Sequence, residues 1–135
     1  MPETSEKTVL VVDDEKDVVL FLGAVLEQAG YRVVGARNTA EALELVQRQR
    51  PDLICLDVLM PGESGVSLFR KLRRDSRLRD VPVIVTSGLS VSRDLQSLRS
   101  LRLEDGSLLP PPEAFVEKPI DPDLFLAKAR EVLGR

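Results

Sequence analysis

Short β-branched apolar runs alternate along the chain with stretches of helical period. The runs are Thr8 to Val12, Tyr31 to Gly35, Asp52 to Leu56, Val81 to Val85 and Ala114 to Val116. Apolar runs this short and continuous suit strands covered on both faces, as a parallel sheet requires. Between them, helical periodicity predicts helices at Asp17 to Ala29, Thr39 to Arg50, Ser64 to Arg74, about Ser90 to Leu103, and Asp121 to Leu133. In the first, Val18, Leu22, Val25, Leu26 and Ala29 share a face; in the second, Ala42, Leu43 and Val46 do. Boundary residues agree: Asn38-Thr39 and Asp121-Pro122 open helices, and Gly30 follows one. Five strand–helix pairs predict a doubly wound α/β domain with a five-stranded parallel sheet. Right-handed crossovers then bring every strand's carboxyl end to one edge, where such folds bind ligands.

One stretch breaks the rhythm. Leu103 to Glu113 holds three consecutive prolines and a glycine, which predicts a rigid, non-helical excursion between the helix at 90–103 and the fifth strand. The first six residues read as a flexible tail, leaving 7–135 as a single domain.

Composition narrows the chemistry. The 135 residues include no His and one Cys. That excludes His-based acid/base catalysis, nucleophile–His pairs, the usual zinc sites and a phosphohistidine donor role. Metal chemistry must then use oxygen ligands, which favour a hard cation such as magnesium. A lone Cys55 forms no internal disulfide, and neither a signal peptide nor a membrane span is evident, so a cytoplasmic location is expected. The formal net charge of −3 conceals an asymmetry: from Glu63 to Leu103 nine Lys/Arg face four acids, a balance of +5. With few aromatics and no binding motif beside it, this basic stretch reads as a solvated helix surface rather than a nucleic-acid site.

The residues at the predicted strand ends form a chemical set: Asp13, Asp14 and Glu15 after the first strand, Asp57 after the third, Thr86-Ser87-Gly88 after the fourth, Lys118-Pro119 after the fifth. Taken singly, Asp13 and Asp14 could be helix caps, Asp57 a turn residue, Thr86 a capping hydroxyl and Lys118 a surface lysine. Jointly they predict a shallow acidic pocket. Carboxylates brought to one place repel, by about 4 kcal/mol for two unit charges ~4 Å apart at an effective dielectric near 20. A cation such as magnesium and the Lys118 ammonium would relieve this, and the same groups suit a phosphoryl group. With no His, Cys or activated Ser there, a carboxylate is the natural nucleophile, and Asp57, on the central strand, is best placed to attack.

These residues carry a resemblance. Val11-Val12-Asp13-Asp14-Glu15, Leu56-Asp57-Val58-Leu59-Met60-Pro61-Gly62-Glu63-Ser64-Gly65, Pro82-Val83-Ile84-Val85-Thr86-Ser87 and Phe115-Val116-Glu117-Lys118-Pro119 resemble the receiver domain of two-component response regulators, over about Lys7 to Leu133. The resemblance implies a flavodoxin-like sheet of order 2-1-3-4-5 and a phosphoacceptor role for Asp57, with a sensor histidine kinase or histidine phosphotransfer protein as donor. It implies magnesium bound by Asp14 directly, by Asp13 mainly through water, by Asp57 and by the backbone carbonyl of Leu59. Thr86 would bond the phosphoryl group and move inward, Lys118 would pair with a phosphoryl oxygen, and Phe115 sits at the aromatic switch position, where a plain core Phe is the alternative. Lys118-Pro119 resembles the family's cis peptide. Output through the fourth helix, fifth strand and last helix to a downstream protein or a second copy is implied, with no membrane or direct nucleic-acid contact.

The longer stretch between Thr86 and Lys118, Ser87 in place of Ala and Ile120 in place of Phe depart from the family pattern. The expected activity is phosphotransfer signalling with self-catalysed autodephosphorylation, not a conventional enzyme. Two other classes remain: a phosphorylation-independent protein-binding module, and an aspartyl-phosphate phosphohydrolase, against which Leu59 stands where an acid/base Asp would be needed.

Overall fold

The computed structural model describes residues 6–58, 65–88 and 106–134. In chain order the elements are β1 (Thr8–Val12), α1 (Lys16–Gln28), β2 (Arg32–Ala36), α2 (Thr39–Arg48), β3 (Leu53–Asp57), α3 (Gly65–Arg74), β4 (Val83–Ser87), β5 (Ala114–Glu117) and α4 (Pro122–Leu133). All pairings are parallel, and the sheet runs β2-β1-β3-β4-β5, the predicted order. The helix expected near 90–103 lies outside the described residues.

Alternation along the strands splits the core in two. Leu10, Val12, Ile54, Leu56, Val83 and Val85 face α2 and α3, meeting Ala42, Val46, Leu68, Phe69 and Leu72. Val9, Val11, Leu53, Cys55, Ile84 and Val116 face α1 and α4, meeting Leu22, Leu26, Phe125, Ala129 and Leu133. The three central strands are buried throughout, which accounts for their uninterrupted apolar sequences.

The helix ends follow the local sequence. Asn38 caps α2, its side chain accepting from Glu41 N, while the Glu41 carboxylate accepts from Arg37 N. Asp121 caps α4 with Pro122 in the first turn. Gly30, at φ 96°, ends α1 in the left-handed region, and Tyr31 N reaches back to Leu26 O. Element limits differ from expectation by one or two residues, and at two strands the shift bears on the site. β3 includes Asp57, and β4 starts at Val83 and includes Thr86 and Ser87. These polar residues sit in the strands themselves, because the ladder continues through them: Val58 N donates to Thr86 O and Lys118 N to Ser87 O.

Candidate functional site

Four strands deliver the site. Asp13 follows β1 directly, is buried, and has its backbone N–H bonded to Ala36 O. Its Oδ1 accepts from Glu15 N at 2.9 Å, leaving Oδ2 for the pocket. Asp57 ends β3, is buried, and pairs in register with Thr86 of β4. Lys118 follows β5; its Nζ lies 2.9 Å from Asp13 Oδ2, 3.3 Å from Asp57 Oδ2 and 3.6 Å from Glu15 Oε1. Asp14 is half-buried beside them, and its carbonyl oxygen accepts from Arg37 Nη2 at 3.2 Å. One ligand atom each from Asp13, Asp14 and Asp57 can be chosen so that all three lie within 4.8 Å of one another. The N-cap of α1 is Glu15, without a side-chain cap bond, so the alternative of Asp13 or Asp14 as helix cap does not apply.

Burial pushes the Lys118 ammonium toward losing its proton, but the hydrogen bond to Asp13 and the Asp57 charge outweigh it, and its pKa ends above the ordinary lysine value. The peptide bond that follows it, Lys118–Pro119, is cis. Thr86 and Ser87 are buried beside the acids at the end of β4. Gly65 brings α3 onto the same spot. Its N–H donates to Val58 O, and a Cβ there would overlap the Asp57 carbonyl oxygen and the Val58 backbone, so glycine is needed for close approach. Phe115 is half-buried, packs against the core on the α2/α3 side, and pairs with Val85. Residues 59–64, Leu59 among them, lie outside the described residues. Cys55 is buried, and desolvation pushes its thiol well above the ordinary range, so it is no nucleophile.

Comparison with known proteins matches this arrangement. The sequence model described as "Response regulator receiver domain" matches residues 9–130. The chain belongs to the response regulator receiver family. The phosphate regulon transcriptional regulatory protein PhoB of Pseudomonas aeruginosa is 34% identical over 129 residues, which cover 96% of this chain and 52% of PhoB. The polar-differentiation response regulator DivK of Brucella anthropi is 31% identical over 128 residues, covering 95% of this chain and 97% of DivK. This receiver therefore spans about half of the first relative and nearly all of the second. Among solved structures, the chemotaxis protein CheY4 of Vibrio cholerae superposes with a TM-score of 0.81 at 26% identity, covering 96% of this chain and all of that one. A two-component signalling receiver is thus the coarse assignment.

The structure also shows what pattern reading missed. Of the described basic residues between Glu63 and Leu103, Arg73 is not on the solvated surface: its side chain is 1% exposed. The signal was present, since Arg73 falls four residues after Phe69 on the apolar stripe of α3.

Proposed function

We propose that the receiver accepts a phosphoryl group on Asp57. The observation that carries this is the convergence of Asp13, Asp14 and Asp57 within 4.8 Å, with the Lys118 ammonium 3.3 Å from Asp57 Oδ2. Three hard carboxylate oxygens at that spacing fit magnesium, which Asp13, Asp14 and Asp57 would hold; the family resemblance adds the Leu59 carbonyl, which lies outside the described residues. When bound, the ion neutralises charge on the acids and on the incoming phosphoryl oxygens.

An Asp57 carboxylate oxygen attacks the phosphorus of a phosphohistidine donor. The P–N bond breaks, the electron pair leaves with the donor imidazole, and an acyl phosphate forms on Asp57. Lys118, kept protonated by its acidic neighbours, pairs with one phosphoryl oxygen, and the Thr86 hydroxyl donates to another. Thr86 is paired with Val116, and its neighbour Val85 with Phe115, so a shift of Thr86 reaches the β5 face through one rung of the ladder. The donor is a sensor histidine kinase or histidine phosphotransfer protein, the setting is the cytoplasm, and the readout is a downstream protein or a second receiver. Turnover beyond phosphotransfer and autodephosphorylation is not part of this role.

The test is intact mass after incubation with acetyl phosphate and magnesium. A single phosphoryl adduct on the wild type, absent in Asp57→Asn and without magnesium, is the expected result. No adduct on the wild type, together with no magnesium-dependent response to beryllofluoride, overturns the reading. Steady release of phosphate from organic esters would point to the phosphohydrolase instead.

A further inference from the structure

The buried Arg73 guanidinium, at the end of α3, faces the edge of the sheet opposite Asp57. Nε donates to Pro110 O at 3.1 Å, Nη1 to Arg79 O at 2.9 Å and Val81 O at 2.6 Å, and Nη2 to Pro111 O at 3.2 Å and Glu113 Oε1 at 3.1 Å. That uses all five N–H donors of the group. Its carbon Cζ lies 4.9 Å from the centre of the Phe69 ring. One residue thus ties α3 to the approach to β4 and to the proline segment that leads into β5.

Glu113 continues the connection. Val83 N donates to Glu113 Oε1 at 2.7 Å, and Glu113 N donates to Val83 O at 2.8 Å, a two-bond pin immediately ahead of the four rungs from Ile84–Ala114 to Ser87–Glu117. A similar pin joins Thr8 to Asp52 ahead of β3. β3 is flanked on both sides by long buried strands. β5 is four residues long, sits at the sheet edge, and is preceded by Pro110, Pro111 and Pro112, which have no N–H to extend the ladder. Ala114 and Phe115 are both half-buried, so burial contrast between the two faces rests on one pair, buried Val116 against exposed Glu117. A slip of one residue would turn every β5 side chain to the other face and move Lys118 about 3.3 Å along the strand.

We propose that Arg73 is a positioning residue for Lys118: with Glu113 it sets the register of β5 on β4, and so places the Lys118 ammonium on Asp13 and Asp57. The consequence for phosphotransfer rests on the function proposed above; the consequence for register does not.

The experiment uses the full chain and the variants Arg73→Met, Glu113→Ala and Lys118→Met, with two readouts. Cross-strand NOEs between β4 and β5 report register without phosphate, and the rate of labelling by acetyl phosphate reports the site. Glu113→Ala and Arg73→Met are expected to weaken or shift the NOEs and to slow labelling about tenfold, with no further slowing when combined with Lys118→Met, because the effect passes through that ammonium. Unchanged NOEs with labelling within about twofold of wild type overturn the proposal, as do losses that multiply with that of Lys118→Met. Glu113 is partly exposed, so Glu113→Ala decides the matter if Arg73→Met does not fold. Failure of the wild type to label Asp57 at all would count against the phosphoacceptor reading, and the NOEs would still judge the register.

Discussion

Both edges of this sheet bury charge, and they do so in opposite ways. At the amino edge, one cation meets four carbonyl oxygens and one carboxylate, and every donor is matched. At the carboxyl edge, three carboxylates from two strand ends converge, and the described residues bring one ammonium to them. The matched cation is part of the architecture; carboxylates gathered around one ammonium suit a further cation. Burial depresses the Arg73 pKa, with Glu113 opposing, whereas around Lys118 the acids prevail over burial. The difference teaches that burial of a charge does not by itself mark a functional site. What gathers around the charge matters more.

The sharpest way to break this contrast is Arg73→Met. It keeps much of the stem beside Phe69 but leaves four carbonyls and a carboxylate without their donor, and should cost about 3–5 kcal/mol in urea denaturation. A loss below about 1 kcal/mol would mean that water replaces the guanidinium readily and that the amino edge is not saturated in the sense argued. Next in size is magnesium. At a concentration about a hundredfold above Kd it should stabilise the wild type by about 2.7 kcal/mol, and Asp14→Asn should remove most of that gain.

Without metal, the same Asp14→Asn should raise the urea midpoint, by about 1 kcal/mol of stability, since it relieves repulsion among the acids. Destabilisation instead would show that Asp14 is already paired. The smallest effect is the titration of Lys118. Its folded pKa lies above the ordinary value, so its contribution to stability is complete below the ordinary lysine range and is lost as pH rises through the folded pKa. Urea midpoints should therefore fall more steeply in alkaline solution for the wild type than for Lys118→Met.

Much of this was written in the apolar pattern. Short, continuous β-branched runs suit strands covered on both faces, and runs alternating with amphipathic stretches lead to a parallel sheet whose carboxyl ends share an edge. That was enough to bring Asp13, Asp14, Asp57, Thr86 and Lys118 together from positions far apart in the chain. The strand order came from the family resemblance, because alternation alone is compatible with more than one winding.

Strand limits were legible only to within two residues. Asp57, Thr86 and Ser87 are polar and so fall outside the apolar runs, yet hydrogen bonds from neighbouring strands carry the ladder through them. The partners of Arg73 and Glu113 were illegible for a related reason, although the α3 stripe marks Arg73 itself as facing inward. Residue type places arginine on the surface, and only tertiary contact brings the carbonyls of Arg79, Val81, Pro110 and Pro111 around one guanidinium. By itself the sequence determined which residues are apolar, which can bear charge and which edge they reach, since periodicity and chirality act locally. The tertiary structure alone decided which charges meet which partners, since pairing depends on distances of a few ångströms between segments that periodicity does not relate.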